Sequence, residues 1–181
     1  MKHALVIGGT GMLSGVSLWL NEQGYKVSII ARNKEKMQLL INQALEPTKI
    51  IPNYVDYTDT HILANCLDTL IQKHGPVDMV VAWIHSKAKS TLPTLIKHLK
   101  SDKEWSFYHV LGSSREIPTV EEIGAPTSCN YATIQLGFIR ENNRSRWLTN
   151  DEISNGVKRV MQHSNSGNWT VGRLEPQQSR P

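Results

Sequence analysis

Residues 3–24, HALVIGGTGMLSGVSLWLNEQG, restrict the fold more than any other stretch of this chain. An apolar run from Ala4 to Ile7 passes through Gly8, Gly9, Thr10 and Gly11 into a segment whose Leu13, Val16 and Leu20 recur at helical spacing. That is a strand, a glycine turn and a helix in succession. Such a unit suits a diphosphate: glycines let the backbone approach the phosphates, and a helix start offers unpaired N–H groups and partial positive charge. An ordinary tight strand-to-helix turn built of small residues has the same look, so the neighbouring segments must decide.

Those segments alternate between strand and helix character. Lys26 to Ala31 is β-branched and apolar and predicts a second strand, and Asn33 caps a helix to about Leu45, stopped by Pro47. Ile50 to Val55 predicts a third strand. Thr58 or Asp59 caps a helix whose Ile62, Leu63, Cys66, Leu67, Leu70 and Ile71 form one apolar stripe, ended by Gly75 and Pro76. Asp78 to Ile84 is a continuous apolar strand, Leu92, Leu95, Ile96 and Leu99 mark a helix beginning near Pro93, and Trp105 to Leu111 is a fifth strand. Near-continuous apolar strands separated by helices specify a parallel sheet covered on both faces. Right-handed crossovers make it a doubly wound, three-layer α/β arrangement, a Rossmann fold, with ligands at the carboxyl ends of the strands. At 181 residues and 39% hydrophobic, the chain suffices for one such domain spanning residues 1–181.

The net charge of +4 is scattered, with basic clusters only at Lys34/Lys36, Lys87/Lys89 and Arg140/Arg144/Arg146. This pattern suits a small anionic ligand and not nucleic acid, which needs a denser stripe. Cys66 and Cys129 form no Cys-x-x-Cys or Cys/His pattern, which argues against a zinc site or a disulfide framework. No signal-peptide pattern is present and no apolar run approaches the ~20 residues of a membrane span, so no membrane association and a cytoplasmic location are expected.

At the end of the second strand stand Ala31, Arg32, Asn33 and Lys34, with no carboxylate to hold the ribose hydroxyls of NAD. Arg32 either pairs with the 2′-phosphate of NADP or is a solvated charge; the first reading predicts NADP(H) as cofactor. Asp56, followed by Tyr57, closes the third strand, placed to accept from an adenine amino group or to serve as a turn residue.

Taken together, GGTGMLS, IIARNKEKM, NYVDYTD, DMVVAWI and SFYHVLGSS resemble the short-chain dehydrogenase/reductase superfamily in order and spacing from residue 3 to about 114. The resemblance implies cofactor contacts from Gly8, Thr10, Gly11, Met12 and Leu13, from Arg32, from Asp56 with the Tyr57 amide, and from Ala82 beside the nicotinamide ribose. Two departures fall within this region. Ser14 holds the place of the third glycine, with Gly15 one later, and Trp83, Ile84 and His85 replace the family's Asn-Ala-Gly.

The resemblance also implies a serine at the end of the fifth strand and, on a following helix, a Tyr-x-x-x-Lys whose lysine lowers the tyrosine pKa. Ser113 and Ser114 stand in the serine's place. The tyrosine that follows them is Tyr131, and four residues on is Gln135, whose neutral side chain cannot lower a phenol pKa from about 10. The run ATIQLGFI after Tyr131 alternates and reads as a sixth strand, which leaves residues 112–130, with Pro118, Gly124 and Pro126, as a loop fit to line an active site. Candidate proton donors are therefore Ser113, Ser114, Tyr131 and His85, with a capping or surface role favoured over proton transfer for His85. The other histidines have no evident partner.

Farther on, Thr149 and Glu152 form a capping box for a helix through Ile153, Val157 and Val160 to about His163. Arg144, Arg146 and Trp147 either line the pocket or anchor that helix, with anchoring favoured. Trp169 to Leu174 predicts an edge strand, and residues 175–181 a polar tail. The expected activity is NADP(H)-dependent reduction of a small carbonyl, imine or similar acceptor, with a small-molecule substrate. The alternative is a non-catalytic NADP(H)-binding sensor or partner subunit. The family also implies a homo-oligomer, although its usual bundle uses the helix that this reading removes.

Overall fold

The computed structural model describes residues 1–85, 88–142, 144–163 and 166–174. In chain order it places β1 (His3–Ile7), α1 (Ser14–Glu22), β2 (Lys26–Ile30), α2 (Lys34–Gln43), β3 (Ile50–Asn53), α3 (Thr60–His74), β4 (Met79–Trp83) and α4 (Thr91–His98). There follow β5 (Trp105–Leu111), α5 (Val120–Ile123), β6 (Cys129–Leu136), β7 (Phe138–Glu141), β8 (Arg144–Trp147), α6 (Asn150–His163) and β9 (Gly167–Val171). Seven strands pair in parallel in the order β3-β2-β1-β4-β5-β6-β9, and β7 and β8 form a separate antiparallel hairpin.

The sheet is buried on both faces because its strands are apolar at both parities. Ala4, Val6, Val27, Ile29, Val81 and Val110 pack under α1, α2 and α6. Leu5, Ile7, Val80, Phe107 and Tyr131 pack with α3 and α4. The predicted caps are present: Asn33 accepts from the Lys36 N–H at 2.8 Å, and Asp59 accepts from the N–H groups of His61 and Ile62, both at 3.1 Å. The Thr149–Glu152 box closes in both directions. Arg146 forks onto Glu152 at 2.8 and 2.9 Å and reaches Glu141 at 3.0 Å, so it anchors α6, as favoured above.

Several boundaries differ from expectation. The third strand stops at Asn53, Ile62 is half exposed and outside the stripe, and α4 begins two residues before Pro93. A proline in the first helical turn removes no bond, because N–H groups there have no intrahelical acceptor. The run after Tyr131 is a strand, as predicted, but residues 112–130 are not wholly loop: Thr119 and Glu122 form a capping box around the single turn α5. The polar tail at 175–181 and Lys87 lie outside the described residues.

The turn after β1 depends on two different uses of glycine. Gly8 has φ +77°, a conformation that side chains strongly disfavour. Gly9 lies beneath α1, where an added Cβ would stand 2.7 Å from Ser17 Oγ and 2.9 Å from both Ile29 Cγ2 and Val6 Cγ1. Gly15, next to Ser14, lets α1 approach α6 closely: a Cβ on Gly15 would lie 2.9 Å from Ser154 of α6.

Two histidines are enclosed in the sheet. His3 Nε2 meets Ser28 Oγ at 2.9 Å, and His109 Nδ1 meets the Tyr131 hydroxyl at 2.7 Å. Burial, joined by the Arg115 guanidinium, pulls the His109 pKa down to about 4 from 6.5, and burial also lowers that of His3. The fold thus holds these imidazoles neutral while the unfolded chain protonates first. Stability is intact above pH 6.5 and falls as pH drops toward 4, by about 3 kcal/mol for His109. Urea unfolding should show a smaller fall between pH 7.5 and 4.5 in His109→Gln than in the native chain; an equal fall would contradict this assignment. Gly9→Ala should lower stability by roughly 1–3 kcal/mol at any pH, because β-branched strand residues cannot move aside.

Candidate functional site

β1 lies between β2 and β4, so the chain reverses its direction of winding at its carboxyl end. In doubly wound sheets this reversal opens the crevice in which ligands bind. The glycine turn fills the bottom of the crevice. Gly8 N–H donates to Ile30 O at 3.1 Å, Gly11 N–H to Gly8 O at 3.3 Å, and Ser154 Oγ–H to Met12 O at 2.8 Å, which ties the turn to β2 and α6. A Cβ on Gly11 would meet nothing closer than Gly8 O at 3.9 Å. Internal packing therefore does not require glycine there, and the open space it faces fits a closely approaching diphosphate. Thr10 and Met12 are half buried, while the Leu13 side chain points into the core and leaves only its backbone toward the crevice.

To one side, Arg32 follows β2 with its side chain 75% exposed. Along the sequence it has no acidic neighbour, but the fold supplies one: Nη1 lies 3.4 Å from Asp56 Oδ2. Asp56 is chiefly a turn residue. Its Oδ1 accepts from the Thr58 N–H at 3.0 Å and hydroxyl at 2.7 Å, and these bonds, with Arg32, hold its carboxyl below the usual range. Tyr57 braces the neighbouring loops, its hydroxyl accepting from the His85 N–H at 3.3 Å and its carbonyl from Thr91 Oγ1 at 2.9 Å. Thr10, Gly11, Ser14 and Lys36 border a cavity of about 250 Å³ between α1 and α2.

To the other side, Met12, Trp83, Gly112, Ser113, Ser114 and Trp147 border a cavity of about 330 Å³. Ala82 does not reach it. That residue is fully buried within β4, opposite Ile7 and His109, and the next side chain, Trp83, faces the cavity instead. The Ser113–Ser114 turn is pinned from below by Gln135, whose Nε2 donates to the carbonyls of Gly112 at 3.4 Å, Ser113 at 3.2 Å and Arg115 at 2.9 Å. Gln135 thus orients the serine turn, a role sequence spacing did not suggest.

Tyr131 departs from its expected place beside the serines. It pairs with Phe107, four rungs inside the end of β5, and burial pushes its phenol pKa up. Its hydroxyl meets His109, which the sequence reading left without a partner although it interrupts the apolar run WSFYHVL. His85 is exposed just past β4, apart from that buried pair. Cys66 is half buried with its thiol pKa raised by burial, as suits a packing residue. Among the described residues no group of three potential metal ligands converges, and no helix is long and apolar enough to cross a membrane.

Comparison with known proteins fits this geometry. Residues 2–88 match the short chain dehydrogenase family. An uncharacterised oxidoreductase of Staphylococcus aureus strain MW2 is 26% identical over 166 residues, 77% of this chain and 71% of that protein. One from strain USA300 is 33% identical over 82 residues, 44% of this chain and 35% of that protein. Among solved structures, a short-chain dehydrogenase/reductase from Serratia marcescens superposes with a TM-score of 0.74 at 12% identity, covering 96% of this chain and 97% of that one. YwfH, described as an NADPH-dependent reductase involved in bacilysin biosynthesis, has a TM-score of 0.74 at 13% identity, with 94% and 98% covered. Residues 2–88, which carry the glycine turn at the reversal of the doubly wound sheet, are thus similar to the short chain dehydrogenase family, and the chain has the fold of short-chain dehydrogenases/reductases.

Proposed function

We propose that the chain is an NADP(H)-dependent reductase of a small carbonyl, imine or similarly polarised acceptor. The observation that carries this reading is the glycine turn at the sheet's reversal point, with open space before Gly11, a basic residue on one flank and a serine-lined cavity on the other. The backbone of Gly8, Thr10, Gly11, Met12 and Leu13 would hold the diphosphate. Arg32 would swing from its long, exposed contact with Asp56 to the 2′-phosphate, leaving Asp56 and the Tyr57 amide to the adenine. Trp83, in place of Ala82, would border the nicotinamide end.

A bound nicotinamide supplies hydride; the chain's own residues supply position and a proton. Ser113 and Ser114, held by Gln135, would hydrogen-bond an acceptor oxygen at the cavity rim. His85 is a further exposed donor near the end of β4, whereas Tyr131 is too deep to touch an acceptor there. With no Tyr–Lys pair in the crossover from β5 to β6, orientation of the reactants carries much of the rate. The description of YwfH as NADPH-dependent supports the choice of cofactor.

The single-turn α5 favours a second reading, a nucleotide-binding subunit without turnover. Steady-state kinetics and binding separate the two: hydride transfer to any member of a broad carbonyl and imine panel establishes the reductase, and tight NADPH binding without transfer establishes the subunit. Arg32→Glu should weaken NADPH binding roughly thirtyfold, as expected from losing a charged hydrogen bond of about 2 kcal/mol, and leave NADH within about twofold. Equal loss for both nucleotides would refute the NADP preference.

A further inference from the structure

A second, larger cavity of about 540 Å³ opens on the other side of the serine turn, between α4, the end of β5 and the loop leading to α5. Ser114 borders both cavities. Ile84, Ala88, Leu92 and Ile117 give this one apolar walls. Of the residues that border it, His109 and Arg115 each carry a buried nitrogen, Nε2 and Nε, that has no hydrogen-bond partner among the described residues. His109 is 1% exposed, so its unpaired nitrogen is a desolvated group and not a solvated surface ring. Unsatisfied buried polar atoms carry a cost that a matching ligand atom removes.

Hydrogen-bond accounting assigns the imidazole tautomer. A buried phenol must donate, and His109 Nδ1, 2.7 Å away, is the acceptor that the Tyr131 hydroxyl reaches among the described residues. Nδ1 is therefore the lone-pair nitrogen and Nε2 carries the hydrogen. Arg115 Nε is a donor in every state. The cavity accordingly offers two N–H groups, one of them cationic, and calls for a ligand with two acceptor oxygens. Around the mouth, Lys89 and Arg115 stand against Glu116 and Glu122, a balance that suits a monoanion and opposes a dianion.

We propose that this cavity binds the carboxylate of a small apolar acid, with His109 Nε2–H and Arg115 Nε–H as its donors and Tyr131 as the positioning residue that fixes the imidazole tautomer. As the substrate class of the reductase proposed above, an acceptor bearing a carboxylate, it rests on that reading; binding of the acid itself does not.

The test uses the full chain without nucleotide and hexanoate as probe. In protein labelled with ¹⁵N-histidine, hexanoate should move the His109 Nε2 resonance saturably, with hexan-1-ol and inorganic phosphate causing no comparable shift. Calorimetry should show hexanoate bound roughly tenfold or more weakly by Arg115→Met, a half-buried position whose loss leaves the core intact. Tyr131→Phe should place hydrogen on Nδ1, visible in the ¹⁵N shifts, and weaken hexanoate severalfold. An unmoved His109 resonance, equal affinity in Arg115→Met, equal binding of hexan-1-ol, or a response to phosphate in place of hexanoate would each overturn the proposal. None of these outcomes bears on NADPH affinity, so failure here is distinguishable from failure of the cofactor reading.

Discussion

The seating of Gly9 beneath α1 is the constraint on which the rest of the site depends. With Val6, Ile29 and Ser17 closed around the missing side chain, the backbone leaves β1 and enters α1 in the least space a chain can occupy. Ser17 completes the fit by donating to the Gly9 carbonyl at 3.0 Å. This brings the first turn of α1 to the reversal point of the sheet and leaves Gly11 facing open space. A turn of the same composition without that packing would remain a turn; here it becomes a fixed wall of a crevice.

The two flanks of that crevice are built differently. On the Arg32 side the polar groups belong to local motifs: the Asn33 cap, the Asp56–Thr58 turn and the glycine turn itself. On the serine side they are set by contacts between strands. Gln135 reaches the serine turn from β6, and Tyr131 orients His109 across the β5–β6 pairing. The crossover from β5 to β6 holds a single helical turn, and the volume beside it is the apolar-walled cavity near His109.

This division explains what could be read from the sequence. The caps at Asn33, Asp59 and Thr149 were legible because each satisfies backbone N–H groups within three residues of itself. The strand after Tyr131 was legible from alternation, and the doubly wound order from continuous apolar strands. The Arg32–Asp56 contact, the replacement of Ala82 by Trp83 at the cavity and the His109–Tyr131 pair were not, since each depends on the register between strands far apart in the chain. The α5 capping box was missed for a local reason: Pro118 and Gly124 bracket a segment too short to show helical periodicity. A lone histidine within WSFYHVL was the one available signal for the buried pair, because a polar ring inside an apolar strand requires a partner.

The central claim is that the space before Gly11 belongs to a bound dinucleotide and not to the packing of the fold. Titration of the chain with NADPH, followed by nucleotide fluorescence, tests it most directly when native protein is compared with Gly11→Val. The account predicts saturable one-to-one binding by the native chain and its loss in Gly11→Val, at a melting temperature close to the native one because a Cβ at this position meets nothing closer than Gly8 O at 3.9 Å. Undiminished binding in a folded Gly11→Val, or no binding by the native chain, would contradict it.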